Sequence, residues 1–203
     1  LNHPEMTGRK ILLEFDPASR YEKVVHDFAT EASANIELLV VFTRRGSTLY
    51  SSLSEQKTVR FFCLTQQVSA PKELSENEIL LPVTDTSLML DVIDKTIKTY
   101  PNDSINVVFD SLSDLILSVG LEKTYHFTKY ALEIMAPQRL TALFLLNGAA
   151  HDAEAVHSLR SLFSNQIAFG KAGIQAVKLP KIEIEAVEIE KLPEKSEILY
   201  KKR

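Results

Sequence analysis

The sequence of 203 residues is long enough for one large domain, and a composition of 45% hydrophobic and 25% charged residues is typical of a globular protein. Its net charge of −4, without a dense basic block, disfavours a nucleic-acid partner, and no apolar run reaches the roughly 18–20 residues that span a bilayer. The lone cysteine, Cys63, allows neither an internal disulfide nor a thiolate metal cage, which favours the cytoplasm.

Apolar runs and helical patterns alternate along the chain. Runs such as "IELLVVFT" have no polar alternation, which is typical of strands covered on both faces of a parallel sheet. The predicted strands are residues 10–15, 36–43, 58–65, 105–110 and 140–146, with 79–83 either a short strand or an extended connection. The predicted helices are residues 17–34, a short one within 44–56, one capped by Thr84 or Asp85 and ending near Tyr100, 122–135 and 151–163. Residues 66–78 are predicted to be a loop.

The end of the sequence changes character. From Asn165 onward, apolar and polar residues alternate, with Gly170 and Gly173 placed for a turn, which predicts an antiparallel ribbon. The whole pattern predicts a three-layer α/β fold with a mostly parallel sheet and antiparallel C-terminal strands. The predicted organisation is an N-terminal extension (1–8), a domain (9–180), and a C-terminal strand with a charged tail (181–203).

Two segments have the form of a nucleotide site. "KILLEFDPASRYEK" is a strand, a polar turn and a helix start, and "INVVFDSLSDLIL" is an apolar strand ending in Asp110 and Ser111. Together with the order of elements, these segments resemble the RecA/KaiC-type P-loop ATPase core from about Arg9 to about Pro180. The resemblance implies a RecA-like fold, an archaeal-type KaiC-like protein, and a Walker B role for the position of Asp110.

The phosphate loop of that family, G-x-x-x-x-G-K-[ST], is degenerate here. An ungapped comparison places Phe15 and Arg20 at the two glycines, Tyr21 at the lysine and Glu22 at the Ser/Thr. Side chains at the glycine positions restrict the turn, a neutral tyrosine cannot neutralise phosphate charge, and Glu22 adds negative charge. The degenerate phosphate-loop positions are Phe15, Asp16, Ala18, Arg20, Tyr21 and Glu22.

A second motif of the family is also missing, which again indicates an inactive relative. The resemblance implies a pair of water-activating glutamates after the second predicted strand, where this sequence has Arg44 and Arg45. An arginine stays protonated and cannot act as a general base. In this setting we expect Asp110 or Ser111 to bond turn and helix-start amides, and Arg44 and Arg45 to line a pocket or an interface.

Several alternatives follow from these residues. The first is a non-catalytic RecA/KaiC-like domain without a cofactor or metal, acting in regulation or signalling through self-association or a protein partner, one candidate being an active ATPase relative. The second is a ligand- or nucleotide-sensing domain whose pocket at the strand ends is lined by Asp16, Arg20, Glu22, Arg44 and Asp110. Nucleic-acid binding is the weakest alternative. A metal site in "HDAEAVH" is disfavoured, because Asp152 suits a helix N-cap there.

Overall fold

The computed structural model describes residues 3–35, 37–171 and 173–179. The helices are α1 (His3–Met6), α2 (Tyr21–Ala34), α3 (Thr48–Leu53), α4 (Thr86–Thr99), α5 (Leu112–Val119), α6 (Leu121–Ile134) and α7 (Ala153–Ser161). The strands are β1 (Lys10–Phe15), β2 (Leu38–Thr43), β3 (Val59–Thr65), β4 (Lys72–Ser75), β5 (Glu78–Pro82), β6 (Ile105–Phe109), β7 (Leu140–Leu146), β8 (Asn165–Gly170) and β9 (Gly173–Lys178).

These strands form one nine-stranded sheet in the order β4-β5-β3-β2-β6-β7-β1-β8-β9. Neighbouring strands are parallel except for the pairs β4–β5 and β8–β9, which are antiparallel. Helices cover both faces of the sheet, so the predicted three-layer α/β fold with a mostly parallel sheet is confirmed. The predicted C-terminal strand and charged tail, residues 181–203, lie outside the described residues.

Two apolar cores lie on the two faces of the sheet. Helices α4, α5, α6 and α7 cover one face, where stacked and tilted rings run through the core. Helices α2 and α3 cover the other face. Strands β6 and β7 are buried at every residue, which explains their uninterrupted apolar sequences. The aromatic residues of the first core are Phe42, Phe62, Phe109, Phe127, Phe144 and Phe163.

The helix predicted from residue 17 begins at Tyr21 instead. The Asp16 side chain accepts a hydrogen bond from the Ala18 amide at 2.8 Å, and the Asp16 carbonyl accepts one from the Ser19 amide at 2.8 Å. This Asx-type turn holds the preceding residues out of the helix. The helix caps by Asp85 and Asp152 are as predicted, since each side chain accepts from an amide three residues on.

Strand β4 and helix α5 were not predicted, nor was the short helix α1 in the predicted extension. Strand β4 and the start of β5 fall in the predicted loop 66–78. Every residue of β4 is exposed, so no buried periodicity marks it as a strand. Helix α5 follows β6 almost at once, and its apolar residues extend the apolar run of the strand, which hides the change of period.

The N-terminal residues pack on the domain. Met6 is only 2% exposed, and the Gly8 amide donates to the Thr141 hydroxyl at 2.9 Å. The described part of the predicted extension therefore contributes to the core that α2 and α3 cover. None of the helices in residues 3–35, 37–171 and 173–179 is both long and apolar enough to cross a bilayer.

A crevice forms outside the carboxyl ends of the central strands. Strand β1 leads into α2 on one face, whereas its neighbour β7 leads into α7 on the other face. The neighbours β2 and β6 diverge in the same way, into α3 and α5. Ligands of open α/β sheets collect at such switch points. We call this region, bounded by the loops after β1, β2, β6 and β7, the carboxyl-end crevice.

Replacing Phe144 by Ala should destabilise the protein strongly. Phe144 is 1% exposed, and its ring centroid lies 5.9 Å from that of Phe109 and 5.4 Å from that of Phe163. We expect Phe144→Ala to lower the unfolding free energy by about 3–5 kcal/mol in urea denaturation. Leu117→Ala, at a side chain that is 77% exposed, should change it by less than about 0.5 kcal/mol. Similar losses in both variants would contradict this assignment of the core.

Candidate functional site

Two aromatic rings fill the loop after β1. Phe15 ends the strand, Tyr21 begins α2, and their rings stack with centroids 3.9 Å apart and an interplanar angle of 21°. Both rings pack against the core that α2 and α3 cover. The loop is also closed by its own hydrogen bonds, since the amides of Ala18 and Ser19 donate back to Asp16. These amides are therefore occupied within the turn.

The surroundings of Tyr21 are negatively charged. Burial raises the pKa of the Tyr21 hydroxyl most, followed by the charges of Asp110, Glu22 and Asp114, while Arg44 lowers the pKa. The phenol therefore stays neutral at physiological pH. A negative potential at this point attracts cations and repels anions.

Asp110 lies at the end of β6, partly buried beside β2. The Thr43 hydroxyl donates to its Oδ2 at 2.8 Å, and Ser47 Oγ lies 2.8 Å from Thr43 Oγ1. Since Thr43 donates its proton to Asp110, Ser47 donates to Thr43, and Ser47 Oγ in turn accepts from the Tyr50 amide at 3.0 Å. Burial is the largest effect on Asp110 and raises the pKa of its carboxyl, although the Thr43 hydrogen bond lowers it.

Ser111 has the structural role expected at this position. It is the N-cap of α5, and its Oγ accepts from the Asp114 amide at 3.2 Å. The Ser111 hydroxyl also lies 3.3 Å from Asp114 Oδ2. Asp110 accepts from the Thr43 hydroxyl instead, so Ser111 is the one of the two that is shown to have the predicted bond to a helix-start amide.

Arg44 and Arg45 pair with carboxylates of their own chain. Arg44 Nε lies 3.3 Å from Asp114 Oδ2, and Arg45 Nε lies 2.9 Å from Glu78 Oε1. Both arginine side chains remain largely exposed, at 66% and 60%, whereas that of Glu78 is 13% exposed. The first ion pair crosses the crevice from the β2 loop to α5. The second joins that loop to β5.

Two cavities adjoin the crevice on opposite sides of the Arg44–Asp114 ion pair. A cavity of about 380 Å³ lies on the β1 side, where Phe15, Tyr21 and Asn147 contribute to its wall. A cavity of about 500 Å³ lies towards β3 and β5. Arg44, Asp110 and Asp114 line both cavities. A third cavity of about 570 Å³ opens at the amino ends of the strands, away from these charged groups.

The structure brings some of the predicted positions together and leaves others apart. The predicted positions that line the β1-side cavity are Phe15, Tyr21, Arg44, Asp110 and Ser111. Arg45 lines the cavity of about 500 Å³, and Asp16 faces a separate cavity beside Gly148. Ala18 and Arg20 are exposed on the loop, and Glu22 is half-buried next to Tyr21.

Several polar residues at the crevice were not predicted as site residues, among them Thr43, Asp114 and Asn147. Thr43 and Asn147 lie at the carboxyl ends of β2 and β7, so the rule that ligands collect there could have identified them. The Asn147 side-chain oxygen is buried without a hydrogen-bond partner among the described residues. Across that same part of the chain, no group of three His, Cys, Asp or Glu side chains is placed to hold a metal ion.

Asp110→Asn should stabilise the protein at neutral pH. An asparagine can still accept from Thr43 but carries no buried charge. Because the folded pKa of Asp110 is raised above its unfolded value, the native protein loses stability as pH rises through that interval. Each pKa unit of the increase corresponds to about 1.4 kcal/mol.

The measurement is thermal unfolding of both proteins between about pH 3.5 and pH 8. The stabilisation by Asp110→Asn should be full above the folded pKa and vanish near the unfolded pKa of about 4. Asp91→Asn, in an exposed Lys95 ion pair, is the matched control and should change stability little at any pH. A constant offset for Asp110→Asn across this range would contradict the assignment.

Comparisons with known proteins identify the family of this chain and a solved structure with a similar fold. A family of unknown function, DUF7504, matches residues 8–169. Comparison with curated proteins gives no significant match. A solved structure from Pyrococcus horikoshii OT3, described as a structural study, aligns with a TM-score of 0.65 at 14% sequence identity, covering 91% of this chain and 95% of that chain. That likeness concerns the fold alone. Since the family match spans most of the sequence, the chain belongs to DUF7504, a family of unknown function.

Proposed function

We propose that the chain is a non-catalytic RecA/KaiC-like domain that acts in regulation or signalling through protein–protein contact, without ATP hydrolysis. The observation that carries this proposal is the Phe15–Tyr21 stack, with ring centroids 3.9 Å apart, at the position of the phosphate loop. The placement of the β1 loop and Asp110 at one edge of the sheet supports a RecA-like arrangement, because a nucleotide of an active relative would lie between them.

The geometry of the loop opposes phosphate binding. A phosphate loop requires backbone N–H groups that point inward at the ligand. Here Pro17 has no amide hydrogen, and the amides of Ala18 and Ser19 donate to Asp16. The side chains of Phe15 and Tyr21 stack where glycine and lysine would leave room and supply charge.

The charges of the crevice oppose a triphosphate as well. After burial, the charges of Asp110, Glu22 and Asp114 raise the pKa of Tyr21, so the surroundings of its hydroxyl are negatively charged. At about 4 Å, two like charges repel by roughly 4 kcal/mol at an effective dielectric constant of about 20. Arg44 opposes their effect on the pKa of Tyr21, but it already pairs with Asp114.

The same arginine argues against hydrolysis. In the RecA/KaiC-type ATPases that this sequence resembles, the positions corresponding to Arg44 and Arg45 hold glutamates that activate water. A guanidinium cannot accept a proton at a working pH. The largely exposed side chains of Arg44 and Arg45 instead suit contact with carboxylates of another protein surface, beside the exposed Leu117.

One observation favours a second function, ligand sensing. The cavity of about 500 Å³ lies at the switch point between β2 and β6 and is lined by both arginines. Its size is within the range of small-molecule pockets, roughly 300–1,000 Å³. In this alternative, binding of a small molecule beside Arg44 would alter the surface that a partner contacts.

We expect no binding of Mg-ATP or Mg-ADP and no release of phosphate, because the amides of Ala18 and Ser19 already donate to Asp16 and the loop has no lysine. Isothermal titration calorimetry to millimolar nucleotide, with a phosphate-release assay, measures both. Asp110→Asn serves as the matched variant, since it removes the carboxylate that a magnesium shell would use. Micromolar affinity that is lost in this variant would refute the non-catalytic assignment.

The contact surface can be tested by charge reversal. The double variant Arg44→Glu with Arg45→Glu should lose partner proteins that co-purify with the wild-type chain, because carboxylates would then face carboxylates. Arg60→Glu is the matched control, since Arg60 lies at the opposite edge over the Tyr100 ring. Retention of the same partners by the double variant would place the contact elsewhere.

A further inference from the structure

The cavity of about 500 Å³ has an apolar floor and a charged rim. We call it the switch-point cavity. Its floor consists of Leu64, Leu80, Val83 and Leu115. Leu64, Val83 and Leu115 belong to the core that α4 to α7 cover, so the floor is held by packed elements on several sides. Its rim includes Arg44, Arg45, Thr65, Gln67, Asp114 and Ser118.

The hydrogen-bonding groups of the rim are unequally occupied. Asp110 accepts from Thr43, and Asp114 is held by Arg44 and Ser111. Arg44 Nε lies 3.3 Å from Asp114 Oδ2, the Arg44 side chain is 66% exposed, and a guanidinium has five N–H donors in all. The exposed guanidinium of Arg44 can therefore donate hydrogen bonds to a ligand at this rim.

The two arginines differ in how firmly they are held. The hydrogen bond between Arg45 and the Tyr50 hydroxyl raises the pKa of Arg45 most, and the ion pair with Glu78 raises it further. The Arg44 pair is longer, at 3.3 Å, and its side chain is 66% exposed. An exposed ion pair of this kind contributes little stability, so Arg44 can turn from Asp114 to another anion at small cost.

We propose that the switch-point cavity binds a small organic anion with an apolar body, whose acidic group contacts Arg44 and Arg45. The apolar body lies on the leucine and valine floor. This inference deepens the ligand-sensing alternative and rests on it. It places the ligand on the β3–β5 side of the Arg44–Asp114 pair, away from the Phe15–Tyr21 stack.

A carboxylate is the simplest acidic group that fits this rim. A planar carboxylate matches the guanidinium edge in a bidentate contact between opposite charges, whereas an alcohol of the same length is uncharged and accepts through a single oxygen. Hydrogen bonds to charged groups contribute about 1.5–3 kcal/mol, so removal of an arginine should weaken carboxylate binding about ten-fold or more. The apolar chains of a carboxylate and an alcohol of equal length should contribute equally to the binding free energy.

The test uses octanoate, octan-1-ol and octylamine as probes in calorimetric titrations of the whole chain. We expect octanoate to bind with one site and at least about ten-fold more tightly than octan-1-ol, with octylamine weakest. Raising the salt concentration should weaken octanoate binding and leave octan-1-ol binding unchanged, because the alcohol carries no charge. Amide NMR shifts on titration should be largest at Thr65, Gln67 and Ser118.

Arg44→Ala and Arg45→Ala should each weaken octanoate binding and leave octan-1-ol binding within about two-fold. Arg60→Ala, at the other edge of the sheet, should change neither. Both target arginines are exposed, so the variants should remain folded. Equal affinity for octanoate and octan-1-ol, no effect of either arginine, or no binding of any probe would overturn the proposal. A positive nucleotide titration would instead refute the non-catalytic assignment and leave this one standing.

Discussion

The position of β7 between β1 and β6 determines the geometry of the carboxyl-end crevice. Parallel hydrogen bonding aligns Leu12 with Phe144 on one side of β7 and Val107 with Ala142 on the other. Neighbouring strands lie about 4.8 Å apart, so β1 and β6 are separated by roughly 10 Å. The loop after β1 and the carboxyl group after β6 therefore face each other across a gap that one aromatic side chain can occupy. Tyr21 lies in that gap, which explains why Asp110 and Asp114 affect its pKa.

The buried carboxylate of Asp110 in this crevice lowers the stability of the folded protein. Asp110 is buried enough for its pKa to rise, and its closest stabilising contact is a hydroxyl rather than a cation. The relay from the Tyr50 amide through Ser47 and Thr43 points hydrogen-bond donors at this carboxyl. Such an arrangement stabilises a carboxylate less than a buried arginine would. Residues that lower stability in this way commonly belong to functional sites, which agrees with a crevice used for binding rather than for folding.

The fold was predictable from the sequence where burial leaves a periodic signal. Strands β6 and β7 are buried at every residue and appear as continuous apolar runs, and the Asp85 and Asp152 caps are visible as local residue choices. Strand β4 leaves no such signal because its side chains are exposed and its pairing is purely main-chain. The start of α2 was misplaced because the Asp16 turn competes with the helix through side-chain hydrogen bonds.

The candidate site was less predictable for a related reason. The residues at the ends of β1, β2 and β6 could be identified, because the end of a strand is a local property. The partners of Arg44 and Arg45 could not, since Asp114 and Glu78 approach them only through the strand order β5-β3-β2-β6. Nor does the sequence indicate that Phe15 stacks on Tyr21, because the angle between β1 and α2 decides that contact.

Arg44 connects the two proposed functions through one side chain. Its guanidinium lines both cavities adjoining the crevice, pairs with Asp114 between them, and is largely exposed to an approaching protein. One guanidinium edge cannot form a bidentate contact with a ligand anion and with a partner carboxylate at the same time. Ligand binding and partner binding at Arg44 would therefore be mutually antagonistic, and by linkage each would weaken the other by the same factor. Such a domain would respond to a small molecule without hydrolysing ATP, because the ligand and the partner protein would compete for Arg44.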